Sequence, residues 1–517
     1  FWDCAAGSGN LLVGLSDKYK IFASTLDKSD VDGMIDRIRE GKCDLLEDNV
    51  FQFDFLNDDF SKLPKKLRDI IKNEPQKLII FINPPYVEAG NQKQIAGTGK
   101  NKNGVALCNK TYEKYKDIVG NASNEVFSQF FIRIYKEIPN CILASFSKLK
   151  YINATNFKKF RETFKAKFLK GFICFSETFD NVKGKFPIGF LIWDTKIKEK
   201  IENIMVDIFN EDKTQGASHR DAHSVGCKAE AKASLLLGKK NFYSNENVKS
   251  INQWIRKTNN KLNKENKILL GHFTSNANDF QHQNSVFIES VEKQRPKSGG
   301  LHIYFSEKNL IEICISFSVR HCIEATWIND RDQFLYPADK WEKDKEFQND
   351  CLAFALFHDQ NRISSSHGVN HWIPFSEDEV NSKKAFDSHF MKYFISGKIK
   401  NIEAPSVDNM LETENTNFIP KEKLEFSEEA KNVFNAGLEL WKYYHANAKY
   451  KGAIKYNANA SLYDIRKYFQ GTDANGDMNK TSEDEEYNKI IKDLRDKMNI
   501  LAKKIEPKVY EFGFLKK

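Results

Sequence analysis

Seven short apolar runs alternate with helix-like or loop segments through the first two hundred residues, and this alternation narrows the possible folds more than any other feature. The runs lie near 1–4, 21–26 (IFASTL), 50–55 (VFQFDF), 77–82 (KLIIFI), 141–147 (CILASFS), 171–179 (GFICFSETF) and 188–194 (IGFLIWD). Strands that alternate with helices form βαβ units, so the expected architecture is α/β, doubly wound around a mostly parallel sheet. Only DNVKGKFP separates the last two runs, too little for a helical crossover. They are expected to pair antiparallel, as a hairpin at one edge of the sheet.

The run at 77–82 stops abruptly at Asn83-Pro84-Pro85-Tyr86. Prolines donate no backbone hydrogen bond and end a sheet strand, and a residue before proline is pushed towards extended backbone. A polar amide and an aromatic ring are thus held stiffly at the end of a core strand. Three earlier strand ends also carry chemistry. Asp3 precedes a glycine loop (DCAAGSGNLL) ahead of an expected short helix, and Gly7 and Gly9 would let backbone amides approach a ligand. The third glycine of a dinucleotide fingerprint is absent, Leu12 standing there. Asp27 closes the second strand and Asp54, beside Phe55, the third. Each aspartate alone reads equally well as a cap or turn residue. Four successive strand ends on one edge of a sheet, where open α/β folds bind ligands, read as a site.

In order and spacing, DCAAGSGNLL, LDKSD, FDFLND and INPPY resemble the S-adenosylmethionine-dependent N6-adenine DNA methyltransferases of bacterial restriction–modification systems. The resemblance covers about residues 1–195, and FPIGFLIWD extends it. It implies a Rossmann-like class I methyltransferase sheet, S-adenosyl-L-methionine as cofactor and double-stranded DNA as partner. A restriction nuclease domain or subunit is a further implied partner. Asn83, Pro84, Pro85 and Tyr86 would be catalytic. Asp3, Gly7 and Gly9 would face the amino-acid end of the cofactor, Asp27 its ribose, and Asp54 with Phe55 its adenine. Tyr86 would stack on the target base with Phe179 as a second ring, although ordinary strand packing explains Phe179 equally well. Phe131 reads as core in preference to a pocket wall.

The chemistry suits these residue types without the label. The exocyclic amine of adenine is a poor nucleophile because its lone pair is delocalised into the ring. Two fixed acceptors, the Asn83 side-chain oxygen and the Pro84 carbonyl, can draw that nitrogen towards tetrahedral geometry, and the prolines keep both preorganised. Such enzymes must extrude the base, which costs a few kcal/mol. An aromatic wall offsets part of that, since stacking is worth about 1–3 kcal/mol per base.

The rest of the chain is less specific. A break at about 207–240 bounds an expected catalytic domain at 1–205, a mixed α+β target-recognition domain at 240–425 and a helical region at 426–517. The final helix is expected at 482–504, opening on Ser482-x-x-Glu485. Residues 89–116 read as a long loop of the functional or disordered kind. The chain starts at Phe1 inside a strand-like run, so upstream sequence is expected; in this family a segment there helps to clasp the cofactor, and without it cofactor binding by this chain is expected to be compromised. No apolar run reaches the roughly 20 residues of a membrane helix, and no signal peptide is present, so no membrane partner is expected. Nine scattered cysteines without a CxxC suit reduced thiols in a bacterial cytoplasm. No metal is expected. His367-x3-His371 is a permissible zinc pair, but its spacings to His358 and Cys351 fit no pattern, and Met478 stands where a calcium loop needs glycine.

The net charge is +8. Residues 147–170 hold eight Lys or Arg (148, 150, 158, 159, 161, 165, 167, 170) against Glu162 alone, with Phe157, Phe160, Phe164 and Phe168 at helical spacing. A helix with a buried aromatic face and an outward basic face is expected there, either simply solvated or facing phosphates. Rival functions are methylation of RNA or of a protein glutamine, and a catalytically inactive DNA-specificity subunit on the same scaffold. The roughly 300 residues beyond the first domain favour duplex recognition over the former, and the intact Asn-Pro-Pro-Tyr stands against the latter.

Overall fold

The computed structural model describes all residues except 87, 89–105, 180–185, 212–233, 245–248, 260–267, 276–285, 293–301, 325, 329–333, 401–417, 421, 449–455 and 517. The loop expected at 89–116 and the connection DNVKGKFP therefore lie largely outside the described residues. The chain forms two compact units, Phe1–Val248 with Thr326–Asp332, and Lys249–Ala325 with Gln333–Lys517.

Among the described residues the first unit is built on a nine-stranded sheet. Its strands are β1 (Trp2–Asp3), β2 (Phe22–Thr25), β3 (Val50–Gln52), β4 (Ile79–Ile82), β5 (Ile142–Lys148), β6 (Lys167–Phe175), β7 (Pro187–Asp194), β8 (Asn203–Glu211) and β9 (Ser234–Tyr243). The order is β3-β2-β1-β4-β5-β7-β6-β8-β9. β3 through β5 pair parallel, which brings the ends of β1 to β4 to one edge. The connecting helices are α1 (Lys28–Arg39), α2 (Lys65–Asn73), α3 (Lys110–Val119), α4 (Val126–Glu137), α5 (Lys150–Asn153) and α6 (Lys158–Thr163).

Alternation along β2 shows how both faces are used. Phe22 joins the large core beneath α3 to α6, and Ala23 joins a smaller core with Val31 and Met34 of α1. α4 is buried almost all round, with Phe127, Phe131 and Ile132 all under 1 % exposed. Phe131 is thus core. It packs against Tyr151 and Phe164.

The hairpin of β6 and β7 is antiparallel, but it is not an edge. β8 pairs parallel with β6, and β9 closes the sheet antiparallel to β8. The expectation missed β8 because NIMVDIFNE merges into a polar stretch. Its alternate residues Ile204, Val206 and Ile208 are nonetheless buried.

The basic stretch also differs from expectation. The helix ends at Thr163 and β6 begins at Lys167, so Phe168 packs on Trp193 from a strand. Phe157, Phe160 and Phe164 do line the core. The cations are not one outward face. Arg161 is fully buried and donates to the Tyr151 and Ala154 carbonyls, while Lys148 and Lys150 pair with acids.

The second unit has a four-stranded sheet of β10 (Gly271–Ser275), β11 (Val286–Glu289), β12 (His302–Phe305) and β13 (Asn361–Arg362), ordered β12-β10-β11-β13. Its core runs from Ile251 through the sheet and the helices Leu310–His321 and Lys345–Phe357 to Leu515. The helical segment beyond 426 shares that core instead of standing as a region of its own. The reason is apolar. Val433, Leu440 and Trp441 of Glu428–Asn447 are buried in it, with Leu494, Leu501 and Ile505 of the last helix. That last helix spans Glu485–Glu511 and is capped by Asp484, which accepts from the Tyr487 amide, not by Ser482. Ser482 instead donates to the Phe469 carbonyl at 2.6 Å.

Candidate active site

The site is best followed strand end by strand end. β1 ends on Asp3, whose carboxylate is 1 % exposed and accepts the Ala5 amide at 3.0 Å. Burial pushes its pKa up to about 7, the single hydrogen bond opposing only weakly. The chain then turns through Gly7 (φ +52°) and Gly9 (φ +79°), both left-handed. A side chain at Gly9 would meet Met34 at 3.1 Å, whereas open space lies in front of Gly7. The expected short helix is a single 3-10 turn, Asn10–Leu12. Arg37 of α1 fastens this loop, donating to the Ser8 carbonyl at 2.7 Å and the Asn10 side chain at 2.9 Å.

β2 hands over to α1 at Asp27, an exposed residue at the helix N-cap whose side chain makes no capping hydrogen bond. Asp54 follows β3. Its carboxylate accepts the amides of Leu56 (3.0 Å) and Asn57 (3.1 Å) and the Asn57 side chain (2.8 Å). Oδ1 is thus filled by the turn, while Oδ2 takes one donor and can accept another. Phe55, expected to face a ligand, is 3 % exposed and stacks on Phe130 at 4.9 Å. Its ring belongs to the core because Trp2, Phe53 and Phe60 surround it.

β4 ends at Ile82, and the Asn-Pro-Pro-Tyr turn follows. Pro84 is buried, Pro85 exposed, and Asn83 and Tyr86 are half-buried. The Tyr86 hydroxyl donates to Asn83 Oδ1 at 2.7 Å. Burial, with Cys174 nearby, raises the Tyr86 pKa beyond the ordinary tyrosine range, so the hydroxyl stays a donor. Phe179, half-buried just after β6, packs edge-on to Phe146 of β5 at 5.3 Å. The sheet order thus gathers Asp3, the glycine loop, Asp27, Asp54 and Asn83 at one edge, as expected of parallel strands.

An S-adenosylmethionine-sized group makes specific demands of such an edge, and several are met. Gly7 has room for a ligand where a Cβ would go, and Asp27 offers an exposed carboxylate. Asp3 is a buried acid that a cationic group would help to ionise. The Phe55 ring is packed in the core, and Asp54 Oδ2 keeps room for one more donor.

No protein-family model matches the chain, and no curated protein matches it. Among solved structures, it is similar to the DrdV–DNA complex, with TM-score 0.29 and 16 % identity over 40 % of this chain and 24 % of that one. Similarity to the type IIG restriction endonuclease BpuSI has TM-score 0.26 and 18 % identity, over 40 % and 23 % of the two chains. Similarity to a nuclease-deletion mutant of the type ISP restriction–modification enzyme LlaGI, in complex with a DNA substrate mimic, has TM-score 0.25 and 13 % identity, over 40 % and 21 %. The matched part spans less than a quarter of each of those chains. Likeness this partial carries nothing about function.

Two residues that shape the site gave no signal in sequence. Arg133, inside the apolar run of α4, is 6 % exposed and donates to the Phe55 and Asp58 carbonyls. Its guanidinium also lies over Phe60 at 4.6 Å and pairs with Glu137 at 3.0 Å. It therefore sets the path of the chain after β3. Lys150, beyond β5, bonds Glu88 at 2.9 Å and Glu125 at 2.8 Å. Both were single charges in charged or apolar surroundings, with no spacing to betray a partner. Among the described residues no group of three or more His, Cys, Asp or Glu could hold a metal. Among them, too, no helix is long and apolar enough to cross a membrane.

Proposed function

We propose that this chain transfers a methyl group to the exocyclic N6 amine of adenine in duplex DNA, as the modification part of a restriction–modification enzyme. The observation that carries the reading is the Asn83-Pro84-Pro85-Tyr86 turn at the end of β4, with Asn83 Oδ1 engaged by a hydroxyl donor at 2.7 Å. That oxygen can accept a substrate amine, and it sits on a stiff turn beside the ends of β1, β2 and β3.

When bound, S-adenosyl-L-methionine supplies an electrophilic methyl group. Gly7, Gly9 and Asp3 would hold its amino-acid end and Asp27 its ribose, and the backbone of the Asp54 turn would border its adenine. Asn83 Oδ1 and the Pro84 carbonyl would accept the two amine hydrogens of the target base. Asn83 Oδ1 carries two lone pairs, so it can accept the amine beside the Tyr86 hydroxyl or in its place. The Tyr86 ring would stack on the extruded base, with Phe179 as the candidate second wall. The second unit would read the DNA sequence.

Incubation of the full chain and of Asn83→Ala with labelled S-adenosylmethionine and unmethylated DNA, RNA or protein tests this. N6-methyladenine in DNA, absent with the variant, is the expected product. Label in RNA or on a protein glutamine would overturn the substrate. Cofactor binding without transfer to any of the three would favour an inactive specificity subunit.

A further inference from the structure

Two residues past Tyr86, the backbone of Glu88 forms an antiparallel bridge with Glu125, at the start of α4. That bridge sets two carboxylates side by side, and like charges so placed repel. Glu125 is 2 % exposed, so its charge is stable there only if paired. The Lys150 ammonium, just beyond β5, supplies the pairing for both. It bonds Glu125 at 2.8 Å and Glu88 at 2.9 Å. Lys148, at the end of β5, adds looser contacts of 3.3 Å and 3.9 Å to the same two acids. Burial and the neighbouring Glu88 push the Glu125 pKa up while the two lysines oppose them, and a single cation joins the chain after the Asn-Pro-Pro-Tyr turn to both β5 and α4.

We propose that Lys150 is a positioning residue for the candidate catalytic turn. It clasps Glu88 to Glu125 and so fixes Tyr86, which in turn holds Asn83 Oδ1. This rests on the methyltransferase reading for its consequence in catalysis, and on geometry alone for the clasp itself. Without Lys150 the two carboxylates face each other with only Lys148 between them, and the segment from Asn83 to Glu88 loosens. The chemistry of the turn is unaltered in such a variant. What changes is how often its acceptor and ring are in place, and a displacement of about 1 Å can cost about a hundredfold in rate.

The test uses the full chain as Lys150→Met, Lys150→Arg and Glu88→Gln. Glu88→Gln is the milder change, since Glu88 is 44 % exposed. Amide hydrogen exchange of the peptide covering 81–88 is expected to quicken about tenfold in Lys150→Met and to a lesser degree in Glu88→Gln, with exchange in the helix Glu428–Asn447 unaltered. Lys150→Arg, able to bond both acids, should restore it. With DNA substrate, kcat should fall about ten- to a hundredfold in Lys150→Met while KM for S-adenosylmethionine stays within about twofold. Unaltered exchange at 81–88 in both Lys150→Met and Glu88→Gln overturns the clasp, whether or not the protein methylates adenine. Unaltered kcat in Lys150→Met despite faster exchange overturns the positioning role. A wild-type chain without adenine methylation overturns the reading of function, and leaves the exchange measurement to judge the clasp alone.

Discussion

The hydroxyl of Tyr86 donates to Asn83 Oδ1 at 2.7 Å, so the side-chain acceptor of the turn is satisfied before any substrate arrives. A half-buried amide oxygen left bare would carry a desolvation cost, and the tyrosine removes it. Under the proposed function Tyr86 would have two roles, a ring for stacking and a support for the Asn83 acceptor.

These two roles separate by substitution. Tyr86→Phe keeps the ring and deletes a bond worth about 1 kcal/mol, so kcat/KM for DNA should move by less than about fivefold. Tyr86→Ala also loses stacking worth about 1–3 kcal/mol, visible as a lower fluorescence change with 2-aminopurine at the target position. Asn83→Ala should reduce kcat by about 10²–10³, the scale for losing one preorganised polar group. Equal losses in the Phe and Ala variants would assign the effect to the hydroxyl and refute the stacking role.

Asp3 should make stability depend on pH in an unusual direction. Its folded pKa of about 7 lies above the ordinary 3.8. Below about pH 4 both folded and unfolded chains hold the proton. Between about pH 4 and 7 only the folded chain does, so the contribution of Asp3 to stability falls as pH rises through that window. The full loss is about 4 kcal/mol. Asp3→Asn keeps an acceptor for the Ala5 amide and removes the titration. Its Tm should match wild type near pH 4 and exceed it at pH 8, while affinity for S-adenosylmethionine drops. A constant Tm difference across that range would show that Asp3 does not titrate.

The two left-handed glycines of the first loop should respond differently to alanine. At Gly9 the left-handed backbone adds a penalty of about 1–2 kcal/mol to a 3.1 Å contact with Met34, so urea unfolding should register a clear loss. At Gly7 the backbone penalty is similar, but the new methyl points into open space. Gly7→Ala should therefore weaken cofactor binding measured by calorimetry more than Gly9→Ala does, relative to its effect on stability. The opposite ranking would place the ligand elsewhere.

Arg133→Met strips partners from the Phe55 and Asp58 carbonyls and leaves Glu137 without its 3.0 Å contact. Breaking such a buried set should cost about 2–4 kcal/mol in urea unfolding. Arg133→Lys should recover only part, because a point charge cannot reproduce the guanidinium fork. A loss under about 0.5 kcal/mol for Arg133→Met would show that the chain after β3 holds its course unaided.

Much of the first unit was legible because parallel strands are buried on both faces and write continuous apolar runs. The four parallel strand ends at one edge and the β6–β7 pairing came from that signal together with prolines and glycines. β8 was lost because a strand with one buried face alternates polar and apolar, which within a polar stretch resembles a linker. The spacing of Phe168 from Phe164 fits a helical turn, and only the non-helical stretch at 164–166 separates the two readings. Charge was the least legible property. Arg161 and Lys150 belong to one basic run, yet one is sealed in the core and the other is clasped by two acids, and neither fate is encoded in local pattern. Phe55 shows the same limit from the apolar side, since a ring beside a site aspartate and a ring in the core look alike in sequence.

The short return of the chain at Thr326–Asp332 belongs to the first unit, where the Trp327 ring lies 5.7 Å from Phe175 at the end of β6. The two units are therefore interleaved along the chain, and no single cut parts them. A chain ended at Val248 would lose Trp327 and bare one side of Phe175, a few residues before Phe179. Exchange of the second unit between relatives would need two junctions, or an incoming segment that brings its own aromatic residue for that place.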